Sequence, residues 1–318
     1  EIVLGVFITP LKQLCPPVVT SLVIMSIGLS LLPVGINYFA GGSGAADFGH
    51  WKHLLVGLIV VIVIVILKQF TTGFLSVSAI LIGIVVGYIA AIALNMVNFQ
   101  PVMDAAWISL PKPIFLLGIP LEFHWEAMVA MGIMFVATAV ETVGDISGIT
   151  NGGLDREATD KELSGGVIAD GVGSLIAALF GVLPNTSFSQ NVGLVAVTKV
   201  VNRFCIMTGA VFLLCCGFVP KLSALLSVMP QSVLGGAAVI MFAMILVSGM
   251  QSLQREKLDG RNGMIVALSL GLGVGLGMVP SALGQLPAWV GQIFAQNGII
   301  MTFVISTILN LILPKDKD

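Results

Sequence analysis

Charge is what this chain has least of. Asp, Glu, Lys and Arg make up 9% of its 318 residues, where a soluble domain carries about 25%. Beside a hydrophobic content of 57%, that scarcity excludes an ordinary soluble protein and points to a series of membrane spans of about 20 residues each. A net charge of −2 leaves no basic footprint for nucleic acid. Cysteine is sparse as well. Cys15, Cys205, Cys215 and Cys216 lie in or beside apolar runs without metal or disulfide-framework spacing, so they read as small buried side chains. His50, His53 and His124 flank apolar runs, share no ligand spacing, and read as interfacial. Gly-x-Ser-x-Gly, HExxH, P-loop and GxGxxG patterns are all absent. An enzyme is therefore not expected, nor is a cofactor or a metal. The chain opens at Glu1, not Met, and without a leader pattern of basic, apolar and small-residue regions, which reads as part of a longer protein.

What the chain has instead is apolar runs. Spans are expected at about 16–37, 51–68, 73–97, 123–147, 166–183, 203–219, 231–252, 263–280 and 297–314. The stretch 98–122 holds Pro101, Pro111, Pro113 and Pro120, with Trp107 inside it and Trp125 just beyond, and reads as an interfacial connection. A polar loop is expected over 151–165. One further segment, 184–199, fits no ordinary span. Pro184 stops what precedes it, residues 185–189 read as a short extended piece, and an apolar half-helix follows to Lys199. Non-helical backbone at membrane depth is tolerated only where it lines a cavity or is buried in protein, and transporters build substrate sites from such discontinuous elements.

Counting 184–199 as a crossing gives ten spans, and the charges then sort by side. Of the fourteen Lys and Arg, only Lys52, Lys112 and Lys221 fall opposite the C-terminal side. Basic residues mark the cytoplasmic face, so both ends are expected there. A weak internal echo, Pro17 before Val23-Ile24-Met25 and Pro230 before Val239-Ile240-Met241, fits an inverted repeat or chance.

Three carboxylates fall inside spans, where each costs about 2.5–3.5 kcal/mol at a helix centre. Glu141 and Asp145 are four apart and share a helix face. Two carboxylates that close resist carrying full charge together, so the pair can gain and lose a proton. The bland reading of Asp145 is that it lies at the water boundary and begins the polar loop. Asp170 has Gly171 and Gly173 as neighbours, which let another backbone approach. Its carboxyl either supports the broken segment and titrates, or caps a helix near the surface. Gln190 offers a paired amide donor and acceptor suited to a planar ligand edge, and Asn191 sits at the start of the half-helix. Both also read as caps. Phe188 either covers an aromatic ligand or packs.

Ser189-Gln190-Asn191-Val192-Gly193 followed by Thr198-Lys199 resembles the signature of the nucleobase–ascorbate transporter family, also called nucleobase:cation symporter 2 or the xanthine/uracil permease family. Glu141-Thr142-Val143-Gly144-Asp145 resembles that family's eighth-helix carboxylate motif, and Ala169-Asp170-Gly171 its ninth-helix aspartate. The resemblance implies an all-α polytopic membrane protein with the 7+7 inverted-repeat transporter fold, divided into core and gate domains. A short extended segment would lie in the tenth span, and the first four segments would precede the present chain. It further implies a first gate part over 1–97, a linker over 98–122, a core part over 123–222 and a second gate part over 223–318.

By the same resemblance, Glu141, Gln190, Phe188 and Ser189 bind substrate, and Asp170, Asp145 and Asn191 support the site or carry the proton. The expected function is proton-coupled import of an oxidised purine, xanthine or urate, through the plasma membrane, by a homodimer paired through its gate. Three alternatives stay open: a uracil:proton symporter, an anion exchanger or channel of the same fold, and a non-transporting remnant. Val192 stands where many purine members carry Asn, and Glu141 disfavours an anionic substrate.

Overall fold

The computed structural model describes residues 1–7, 16–118, 122–188, 191–192, 195, 199–254, 256–258, 260–286 and 298–314, with only the backbone of Leu117 and Asn151. Among them the chain is helical and forms no β-strand. The helices are α1 (Ile2–Val6), α2 (Pro17–Phe39), α3 (Trp51–Phe70), α4 (Phe74–Val77), α5 (Ala79–Ala93), α6 (Gln100–Asp104), α7 (Trp125–Leu154), α8 (Asp160–Leu179), α9 (Arg203–Cys216), α10 (Pro220–Ser227), α11 (Gln231–Leu253), α12 (Gly260–Met278) and α13 (Gly298–Ile312). Six of these, α2, α3, α7, α8, α11 and α12, are long and apolar enough to cross a membrane. α9 and α10 together pass the same test but are bent by 85° at Gly217–Val219, while α5 and α13 are shorter apolar helices. The chain is a multi-pass membrane protein.

The expected spans shift at two ends and break at one point for local reasons. α7 continues past residue 147 to Leu154 and stops where Asp155 turns left-handed at φ 52°. α8 begins at Asp160, because Thr159 and Glu162 form a capping box in which each side chain meets the other's backbone N–H. Arg156 grips the Glu162 carboxylate with two nitrogens at 2.6 and 2.9 Å, fixing the turn. The polar loop therefore shrinks to a few residues. The third span is broken, since α4 ends at Val77 and α5 starts at Ala79, with Ser78 between them.

The chain divides into two compact units. Residues 1–30, 112–201 and 244–318 make the first, and 31–111 with 202–243 make the second. In the first unit the start of α2 is buried on two faces. Val19 and Val23, four apart, join Ala137, Ala139 and Val140 of α7, Leu163 and Val167 of α8, and Phe303 of α13. Val18, Leu22 and Met25 turn to Leu253 and Ile265 instead. A helix apolar on all sides is one surrounded by protein. Its buried hydroxyls are met within the helix, Ser21 donating to the Pro17 carbonyl at 2.7 Å and Ser26 to that of Val23 at 2.8 Å.

In the second unit α3 packs on α5 through Val56, Val60, Ile64, Ala79 and Ala91. Gly83 and Gly87 form a Gly-x-x-x-Gly stripe that lies against Ile64 and Val60, the small-residue contact that membrane helices use where burial alone supplies little drive. The connection after α5 is pinned by Lys221, whose Nζ donates to the Val102 carbonyl at 3.0 Å and lies 4.9 Å over the Trp107 ring. His53 Nε2 meets Asp47 Oδ2 at 2.7 Å, and this hydrogen bond holds the Asp47 carboxyl below its ordinary value of 3.8. Cys205 and Cys215 are exposed on α9, contrary to the expectation of burial, and Cys216 is half-buried. α9 buries no residue, and lipid solvates a thiol-bearing apolar face as well as a protein core does.

Gly235 of α11 sits where an added Cβ would collide with the backbone of Tyr38 and Phe39. Backbone cannot swing aside as a side chain can. Gly235→Ala is expected to cost about 1–3 kcal/mol through overpacking, read as a lower thermal midpoint of the purified protein in detergent. An unchanged midpoint would show that α11 and the end of α2 do not approach this closely.

A clamped segment between two carboxylates

The candidate site lies in the first unit, where α7, α8 and the non-helical segment 182–188 meet. Phe180 ends α8 and Gly181 reverses the chain at φ 69°. Val182 to Phe188 then carries no helix. On α8, Asp170, Gly173 and Ser174 share one face by their spacing of three and four. Asn185 seats there. Its Nδ2 donates to Asp170 Oδ1 at 2.7 Å, and Ser174 Oγ donates to the Asn185 carbonyl at 3.1 Å. Gly173 makes the seat possible, because a Cβ there would lie 2.8 Å from Asn185 Oδ1.

On α7 the spacing works the same way. Thr142 and Asp145, three apart, both face Ser187. Ser187 Oγ donates to Asp145 Oδ2 at 2.5 Å and lies 3.4 Å from Thr142 Oγ1. Thr142 Oγ1 in turn donates to Asp170 Oδ2 at 3.0 Å, tying α7 to α8. Asn185 and Ser187 are two apart and both reach the helices. Phe188 is 54% exposed.

The three expected carboxylates are all buried: Glu141 is 5% exposed, Asp145 6% and Asp170 9%. Asp145 therefore does not open the polar loop. It lies well inside α7 and holds Ser187. Asp170 is no helix cap either, since it stands in the body of α8 with both carboxylate oxygens accepting hydrogen bonds. Asn191 is exposed, and its backbone N–H donates to the Phe188 carbonyl at 2.9 Å. Ser189, Gln190, Gly193 and Thr198 lie outside the described residues. Lys199 adopts φ 55° and its Nζ bonds the Gly152 carbonyl at 2.7 Å and Asp155 at 3.1 Å, so the end of the broken segment is fastened to the end of α7. Among the described residues no three His, Cys, Asp or Glu side chains gather as a metal site.

Sequence reasoning gave no role to Thr142, Ser174, Asn185 or Ser187. The signal was present for two of them. Ser174 is one turn from Asp170, and Thr142 lies three before Asp145.

The arrangement can do two things chemically. It fixes a short non-helical backbone against two helices, and it keeps ionisable oxygens in contact with exchangeable hydroxyl hydrogens. Comparison with known proteins is consistent across the chain. Residues 1–282 match the sequence model Xan_ur_permease, described as a permease family. The chain is 38% identical over 315 residues to a putative purine permease of Clostridium perfringens, covering 99% of this chain and 69% of that protein. It is 37% identical over 315 residues to the xanthine permease of Bacillus subtilis, covering 98% and 70% respectively. The uric acid permease PucJ of the same organism is 36% identical over 311 residues, with 96% and 68% covered.

Asn185→Ala would strip Asp170 Oδ1 of its donor, while Ser174 would keep the backbone carbonyl of residue 185. A buried acceptor left unmet costs about 1–3 kcal/mol. The variant is expected to unfold at correspondingly lower detergent denaturant than the parent in mixed micelles; equal stability would mean that water replaces the amide and the clamp is weak.

Proposed function

The chain belongs to the xanthine/uracil permease family, and from that premise we propose that it is a proton-coupled symporter importing an oxidised purine, xanthine or urate, through the plasma membrane. The observation that carries this reading is a mid-helix glutamate, Glu141, 5% exposed, one turn before Asp145, which fastens a non-helical segment. A carboxylate held inside a membrane helix marks a substrate or ion pathway by default. An oxopurine presents adjacent N–H donors, and a carboxylate is their natural acceptor. Glu141 takes that role. Gln190 pairs with the opposite edge, the backbone around Phe188 and Ser189 contributes, and the exposed Phe188 ring covers the ligand face.

Asp145, Asp170 and Asn191 support the segment, and the two aspartates provide groups that a proton can occupy. Transport proceeds by alternating access around this site. Both chain ends face the cytoplasm, on the distribution of Lys and Arg, and the protein works as a homodimer. The relatives that carry xanthine and uric acid favour a purine over uracil. The relatives' names, xanthine and uric acid permeases, favour a purine carrier over an exchanger of inorganic anions.

Uptake of labelled xanthine, urate and uracil, with and without a protonophore, tests the reading. Purine uptake that collapses with the proton gradient is expected, and uracil uptake alone would overturn the substrate. Glu141→Gln is expected to weaken purine binding by about tenfold to a hundredfold, the worth of a charge-assisted hydrogen bond. Normal purine affinity in that variant, at normal membrane level, would remove Glu141 from the site.

A further inference from the structure

Asp170, Thr142, Ser187 and Asp145 form an unbroken line of oxygens. Asp170 Oδ2 to Thr142 Oγ1 is 3.0 Å, Thr142 Oγ1 to Ser187 Oγ is 3.4 Å, and Ser187 Oγ to Asp145 Oδ2 is 2.5 Å. The line has three contacts, and each needs a hydrogen. Each hydroxyl owns one, so with both carboxylates ionised there are two. Those two go to the carboxylates, the stronger acceptors. The middle contact is then two oxygens with no hydrogen between them, and it is the longest of the three. One added proton completes the line. Placed on Asp170 Oδ2, it donates to Thr142 Oγ1, and the Thr142 hydrogen turns to Ser187.

We propose that Thr142 and Ser187 are a proton relay joining Asp170 to Asp145, and that the four groups together take up one proton. This rests on the proton-coupled reading above. In the transfer the Asp170 O–H bond breaks as a Thr142 O–H forms. The old Thr142 O–H breaks as one forms on Ser187, and the old Ser187 O–H breaks as one forms on Asp145. One proton passes from Asp170 to Asp145, and neither hydroxyl ends charged.

Ser187 belongs to segment 182–188, not to either helix. The relay is therefore complete only while that segment is seated, which ties the proton to the element beside the substrate position. Other ionisable groups face the line from two sides. Glu141 lies one turn before Asp145 on α7, and Glu1, just before α1, shares a hydrogen bond with Asp170 and accepts from Thr138 Oγ1 at 3.2 Å. Asn185 holds the second oxygen of Asp170 and carries no proton to give up.

The test uses the protein from its full reading frame, reconstituted in vesicles with a pH-sensitive dye inside. Protons entering per xanthine or urate are measured together with the pH profile of uptake. In Thr142→Val and Ser187→Ala the protons per purine are expected to fall toward zero and the pH profile to flatten. Thr142→Ser and Ser187→Thr, which restore the hydroxyl, are expected to restore both. Wild-type stoichiometry and pH profile in the hydroxyl-less variants would overturn the relay. So would failure of the hydroxyl-bearing variants alongside them, since the role would then be packing. A parent protein that carries purine without protons would instead overturn the proton-coupled reading on which the relay stands. If a hydroxyl-less variant does not reach the membrane, the carboxylic-acid infrared band of the purified parent decides. One titrating band altered by both Asp145→Asn and Asp170→Asn supports a shared proton, and two independent bands overturn it.

Discussion

A hydrocarbon layer offers no partner to a bare amide or hydroxyl, so a chain that leaves the helical path among apolar spans must have its polar groups met by the protein itself. Segment 182–188 is held by this requirement. Asn185 is bound by Asp170 and Ser174 of α8, and Ser187 by Asp145 and Thr142 of α7. Asp170 does most, because its second oxygen accepts from Thr142 and so joins the two helices as well. One carboxylate thus links three elements. The fully engaged oxygens make its primary task structural, and any proton it takes must displace or reorient a hydrogen already there.

The surrounding packing follows from the same solvent. Lipid is as apolar as leucine, so helices gain little by merely burying side chains against one another, and close approach has to supply the adhesion. Gly83 and Gly87 bring α5 onto α3, and Gly235 brings α11 onto the end of α2. Several hydroxyls buried in this packing turn back to their own helices, as Thr302 does to the Gly298 carbonyl at 2.8 Å and Ser306 to that of Phe303 at 3.0 Å. The hydroxyls of Thr142, Ser174 and Ser187 differ from these, since all three reach across elements.

What could be read in the sequence was what lipid enforces strongly. Apolar runs had to be helices, and the spans from α2 to α13 fall close to where composition puts them. Glu141, Asp145 and Asp170 stood out because a charge within such a run is costly, and all three are buried. The start of α8 was legible in principle, as Thr159-Asp160-Lys161-Glu162 carries a capping box, but its charges resemble those of a loop. Asn185 was not legible as a partner, and Ser174 and Thr142 were marked only by their spacing from Asp170 and Asp145. A small polar residue is tolerated in many places for many reasons, and only the return of the chain after Gly181 brings Asn185 onto the face of α8. Ser189 and Gln190, on which the family signature depends, lie outside the described residues, so their part in the site is what the resemblance implies.

The position of Ser187 bears on why coupling would be obligatory instead of incidental. If seating segment 182–188 completes a line of hydrogen bonds that one proton stabilises, then seating raises the site's affinity for that proton. Linkage makes the effect reciprocal: protonation favours the seated segment by the same factor. If the ligand is held by Glu141 on α7 and by the residues after Ser187, as proposed, it also favours one placement of the segment. Proton and purine would then stabilise the same arrangement without touching each other, and each would bind more tightly in the other's presence. The device needs no large displacement. A shift of about an ångström in Ser187 opens the 3.4 Å contact beyond hydrogen-bonding range, which cuts the line.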